Sequence, residues 1–143
     1  MRLTAKQTMN DQTDTLFMET TASYSKTDDG YVLRYRDEGG DLHGTRNVLT
    51  VTPGEGLTLL RDGPYSTRLI IDLGRRHLSQ YETPYGMLML GICGLKLESD
   101  VDETGGTLHF RYTTDVELSV VGEFDFDIRL TPKALSDQTE DMI

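Results

Sequence analysis

Arg61 is the residue in this chain whose position asks most for a chemical explanation. It sits in the run Leu57-Thr58-Leu59-Leu60-Arg61-Asp62. Strict alternation along a strand puts it on the same face as Leu57 and Leu59. If that face points into a core, the guanidinium needs a partner, because an unpaired buried charge is costly. Two partners are open. One is structural: a carboxylate such as Glu38 or Glu82, or solvent at a rim beside the Asp62-Gly63 turn. The other is a ligand whose acidic head the guanidinium clamps while its apolar part lies among Leu, Phe and Tyr side chains. Tyr81, Thr83 and Tyr112 carry hydroxyls on expected strand faces and are the candidates to orient such a ligand beside Arg61. The same three residues also read as core aromatics and turn residues.

Other residues that could do chemistry fall to simpler readings. Asp125 and Asp127 share a face two apart, as paired carboxylates for acid–base work would, but they alternate with Phe124, Phe126 and Ile128 as a solvated sheet face does. His43, His77 and His109 stand in three separate segments, so no metal-ligand spacing is present and no metal is expected. The run beginning Asp100-Val101-Asp102-Glu103 resembles the start of a calcium loop, but its twelfth position is Arg111 where the loop needs a bidentate Glu. An ordinary hairpin turn is expected there. Cys93, flanked by Ile92 and Gly94, reads as an inert buried thiol. The chain has no Gly-x-Ser-x-Gly and no phosphate-binding glycine motif, so neither a catalytic residue nor a cofactor is expected.

The elements that would position these side chains are strands. Leu3, Ala5, Gln7 and Met9 alternate. Residues 14–26 alternate better, with Leu16, Met18, Thr20, Ala22 and Tyr24 on one face, and read as one strand. Asp28-Asp29-Gly30 marks a hairpin. Tyr31, Leu33 and Tyr35 follow on one face, then Leu49 with Val51, then Thr67, Leu69, Ile71 and Leu73. His77, Ser79, Tyr81 and Thr83 share a side. Residues 86–97 are apolar on both faces and read as one or two doubly buried strands with a kink near Gly91 or Gly94. Three glycines in those twelve residues argue against a helix, at about 1 kcal/mol each relative to Ala. Leu108, Phe110 and Tyr112 alternate, and so do Phe124, Phe126, Ile128 and Leu130. Thr83-Pro84-Tyr85-Gly86 re-aims the chain at a corner.

Short half-apolar strands joined by tight turns predict an all-β domain over residues 1–132, with an acidic, polar tail at 133–143. The fold expected is a single antiparallel barrel of about eight to ten strands, in meander order. A chain of 143 residues is large enough to hold a core without disulfides or metal. Acidic residues outnumber basic ones by 24 to 14, for a net charge of -10, so nucleic acid and anionic membrane surfaces are poor partners. The first dozen residues have no apolar stretch of the signal-peptide kind, and no apolar run approaches the ~20 residues that span a bilayer. A lone cysteine and these absences make the cytoplasm the default setting.

A set of signals along the chain has a family likeness. Tyr35 with Glu38 ends an early strand, and Leu59-Leu60-Arg61-Asp62-Gly63 carries an Arg-x-Gly turn. A strand ending in Asp72-Leu73-Gly74 follows, then Tyr81-Glu82-Thr83-Pro84-Tyr85-Gly86, a Leu-rich strand, and Gly106-Thr107-Leu108-His109-Phe110-Arg111-Tyr112. Across about residues 3–131 the chain resembles the YwiB-like family of small bacterial proteins, a domain of unknown function with a calycin-like (lipocalin-like) β-barrel. The resemblance implies a barrel and a bacterial cytosolic setting, with no established activity and no functional residues to carry over. The leading expectation is therefore a barrel that holds a small, partly apolar ligand at Arg61, Tyr81, Thr83 and Tyr112. The alternative is a filled barrel that self-associates as a homodimer through Met87 and Met89, which lie opposite Leu88 and Leu90. An enzyme ranks behind both.

Overall fold

The computed structural model describes residues 1–9, 11–37, 44–63 and 66–132, apart from the Thr83 side chain. Its eleven strands are β1 (Arg2–Met9), β2 (Gln12–Glu19), β3 (Ala22–Lys26), β4 (Tyr31–Arg36), β5 (Arg46–Thr52), β6 (Gly56–Asp62), β7 (Thr67–Asp72), β8 (Arg76–Thr83), β9 (Gly86–Asp102), β10 (Gly105–Val116) and β11 (Ser119–Leu130). They form one sheet in the order β2-β1-β11-β10-β9-β8-β7-β6-β5-β4-β3. Every pairing between strands is antiparallel. This is the expected meander, with β1 returning to pair with β11. A single buried cluster draws on strands from β1 through β11, so the sheet curls onto its own inner face as a barrel does.

The curl does not close by hydrogen bonds. Residues 14–26, read from alternation as one strand, are two: β2 and β3 lie at opposite edges of the sheet and do not pair. The alternation itself carries across the break. Leu16 lines the interior, Met18 is buried, and Ala22 and Tyr24 pack on the core. The chain crosses the open seam at Thr20 and Thr21 without turning its apolar face over.

The inner face is built in rows of cross-strand partners. One row runs Tyr31–Val51–Leu57–Ile71 and the next Leu33–Leu49–Leu59–Leu69. All eight side chains are buried, and together with Leu108, Phe110 and Ile128 they fill one half of the barrel. Each fully buried Leu or Ile contributes about 1.5–3 kcal/mol relative to an exposed one. The Tyr31 hydroxyl is pinned to Ser99 Oγ at 2.6 Å, tying β4 to β9. Burial holds the Tyr31 phenol above its ordinary pKa.

The glycines of β9 each have a local reason. Gly86 has a φ of 117°, which the β8–β9 turn requires. Gly91 leaves the space in which Arg76 on β8 reaches Asp115 on β10: a Cβ there would stand 2.3 Å from Arg76 Nε and 2.4 Å from Asp115 Oδ2. Gly94 lets the end of β7 lie against β9, where its carbonyl accepts from Gly74 N at 3.1 Å. The kink expected near Gly94 is a bulge, with Arg111 opposite Lys96 and Tyr112 opposite Gly94, so Leu95 is the extra residue. The strand is continuous, however, and its start is not buried on both faces. Met87 and Met89 are exposed on the outside. Among the described residues no helix is long and apolar enough to cross a membrane.

Candidate functional site

The next inner row is different in kind. It reads Tyr35–Asn47–Arg61–Thr67–Tyr81–Leu88 across β4 to β9. Alternation forces this: each residue lies two positions from a filler such as Leu33, Leu49, Leu59 or Leu69, and so points the same way. Above this row the barrel is not filled. A cavity of about 540 Å³ opens at the end where the β1–β2, β8–β9 and β10–β11 hairpins turn. Its polar wall is Tyr35, Asp37, Arg61, Thr67 and Tyr81, and its apolar wall comes from β1, β2, β9, β10 and β11, with Ala5, Leu16, Leu88, Val121, Phe124 and Phe126. Cross-strand stacking stiffens that side: Phe110 lies 4.8 Å from Phe126 and Tyr112 lies 4.9 Å from Phe124, centroid to centroid.

Arg61 is half-buried, and its Nε is buried with no hydrogen-bond partner. It forms no ion pair with a described residue. Of the two carboxylates expected as structural partners, Glu82 alternates with Tyr81 and takes the other face, while Glu38 lies outside the described residues. Asp37, on the same wall, accepts from Asn47 Nδ2 at 3.1 Å. The Asn47 Oδ1 and Thr45 Oγ1 atoms beside it are buried without partners. Burial pushes the Tyr35 phenol up to about 12, against the pull of Arg61 and with a smaller push from Asp37. Tyr112 is raised for the same leading reason, again opposed by Arg61, with Tyr81 and Tyr35 adding to the rise. Both phenols are therefore neutral donors at physiological pH.

Of the four residues singled out from sequence, Arg61, Tyr81 and Tyr112 meet on this one cavity. Thr83 is paired with Gly86 at the end of β8, and its side chain lies outside the described residues. Tyr35, Asp37 and Thr67 were not singled out. The signal for them was the same alternation, continued one step past Leu33 and Leu69.

The remaining candidates are surface structure. His77 Nε2 lies 2.6 Å from Asp72 Oδ2 at the end of the barrel where β8 begins, and His109 Nε2 lies 2.7 Å from Asp125 Oδ1 on the outer face, so each imidazole has a carboxylate as its hydrogen-bond partner. Arg111 joins the second pair through Glu123 and Asp125. His43 lies outside the described residues. No His among the described residues lines the cavity. Among the described residues, no three His, Cys, Asp or Glu side chains are grouped to hold a metal ion. Cys93, expected in the core, is half-buried instead. Ile92 takes the inner position, and alternation turns the thiol outward. Asp102 closes the β9–β10 turn by accepting from Thr104 N at 2.8 Å, which is the hairpin expected in place of a calcium loop.

A family model described as a domain of unknown function (DUF1934) matches residues 1–128. The chain belongs to this family. Among solved structures it is similar to the ywiB protein from Bacillus subtilis. That match has a TM-score of 0.73 and 18% identity, and covers 88% of this chain and 86% of that one. At that identity the likeness concerns the fold, and it agrees with the antiparallel barrel described above. A search of curated proteins finds no match.

Proposed function

We propose that this protein is a binding barrel that takes a small, partly apolar ligand into its open half. The observation that carries this reading is the cavity itself. Its volume of about 540 Å³ falls within the roughly 300–1,000 Å³ of small-molecule sites, and an apolar wall faces a few convergent polar groups, as such sites do. The meander order supports reading the barrel as calycin-like, and the fold likeness to a Bacillus subtilis protein supports a bacterial setting. The test is titration with Nile red, an uncharged dye that brightens in apolar surroundings. Saturable uptake at one dye per chain is expected, weakened at least about tenfold by Ala5→Trp, which places an indole in the cavity. Uptake that never saturates, or that Ala5→Trp leaves unchanged, would sink the reading.

A second reading, self-association as a homodimer, draws on the outer face of β8 and β9. Leu78, Met87 and Met89 are 62%, 57% and 51% exposed there, on two paired strands. The two readings are compatible, because these side chains and the cavity lie on opposite faces of the same strands.

A further inference from the structure

The inference drawn here rests on the binding-barrel reading and names the charge of what is bound. We propose that the cavity selects a ligand with a carboxylate head, which pairs with Arg61 beside the Tyr35 and Tyr112 hydroxyls, while its alkyl or aryl tail lies along Phe124 and Phe126. Among the described arginines, Arg61 is the one that lines the cavity. Arg76 and Arg111 are bound to Asp115 and Glu123, and Arg2, Arg46 and Arg129 have carboxylates beside them on the surface. Arg61 has none among described residues, and its Nε is sealed from water. A guanidinium presents a planar fork of donors that a carboxylate fits with two parallel bonds, and low dielectric strengthens that pair. A neutral head would leave the charge uncompensated.

Asp37 is the feature that argues the other way, since it places a negative charge on the same wall. Its carboxylate is held by Asn47, and no ion pair among the described residues joins it to Arg61. Lys6 and Asp14, the other charged residues at the cavity, stand exposed at the mouth on β1 and β2, where solvent screens them. The deep charge is therefore Arg61, and the tyrosines around it are donors, which suits an anion and not a cation.

Calorimetric titration with octanoate, 1-octanol and octylamine isolates the head group, because the three share one tail. Octanoate is expected to bind the unmodified protein about tenfold or more tighter than octanol, with octylamine weakest. Arg61→Gln should erase the octanoate preference while leaving octanol binding in place, and Arg61→Lys should restore part of it. Equal or tighter binding of octanol by the unmodified protein would overturn the carboxylate proposal and leave the barrel reading standing. So would a preference for octanoate that survives Arg61→Gln. Failure of all three to bind would overturn both.

Discussion

Asp115 shows how a single side chain can tie three strands together. It lies on β10, 5% exposed. Arg76 grips it from β8 through Nε and Nη2 at 2.9 and 2.6 Å, and its Oδ1 also accepts from Leu118 N at 3.0 Å in the β10–β11 turn. That turn places Glu117 and Leu118 at φ of 50° and 71°, a conformation that side chains rarely adopt. The carboxylate thus satisfies a strained turn and a cation together. The Arg76 hydrogen bond holds its pKa below the ordinary 3.8, with Leu118 N and the Arg76 charge adding to it. A depressed acid stabilises the fold above its unfolded pKa, and that stability is lost as pH falls through the lower folded value. Asp115→Asn should therefore lower Tm at pH 7. The gap between variant and unmodified protein should close as pH drops below about 4. Thermal melts of the two proteins across pH 2–7 would check this, and a gap independent of pH would show that the ion pair contributes nothing.

At the scale of elements, β9 is the strand on which the barrel turns. Its 17 residues pair with β8 along the first half and with β10 along most of its length. Gly91 sits directly opposite Asp115. Its missing side chain is what lets an Arg on one neighbour reach an Asp on the other. Gly91→Ala should cost about 1–3 kcal/mol, as inserting a carbon into a packed site does. The same substitution made on top of Asp115→Asn should cost clearly less, because the pair it displaces is already broken. Denaturant unfolding of the two single variants and the double variant measures that coupling, and strict additivity would mean that Gly91 serves some other contact.

For the whole molecule, the deciding fact is that the barrel is filled at one end and open at the other. Leu33, Leu49, Leu59 and Phe110 close the interior below the row of Arg61, and from that row upward the side chains, Thr67 and Ala5 among them, line an open cavity instead of meeting across it. The same curl leaves apolar side chains of β8 and β9 outside. If Leu78, Met87 and Met89 mediate a homodimer, sedimentation should show a concentration-dependent dimer that Met87→Lys and Met89→Lys abolish together. A monomer at high concentration would remove that reading without touching the cavity.

Alternation and turn chemistry by themselves determined the class of fold, the meander and the inward aim of Arg61. These are local properties: successive residues of a strand point to opposite sides whatever the strand pairs with. The same logic puts the Tyr81 and Tyr112 hydroxyls beside Arg61, whereas residues 86–97 read as buried on both faces and Met87 and Met89 face outward only in the self-association alternative. Only the tertiary structure decided the rest. Whether residues 14–26 make one strand or two depends on which edges they meet, and Thr20 and Thr21 give no turn signal strong enough to show it. Cys93 sits in an apolar run, yet it faces outward because a double-sided apolar sequence does not say which side is the core. The roles of Gly91 and Gly94 belong to chains that approach from β8, β10 and β7. The cavity depends on the register of eleven strands and on the volumes that meet across the barrel, a sum over residues far apart in sequence that no local pattern encodes.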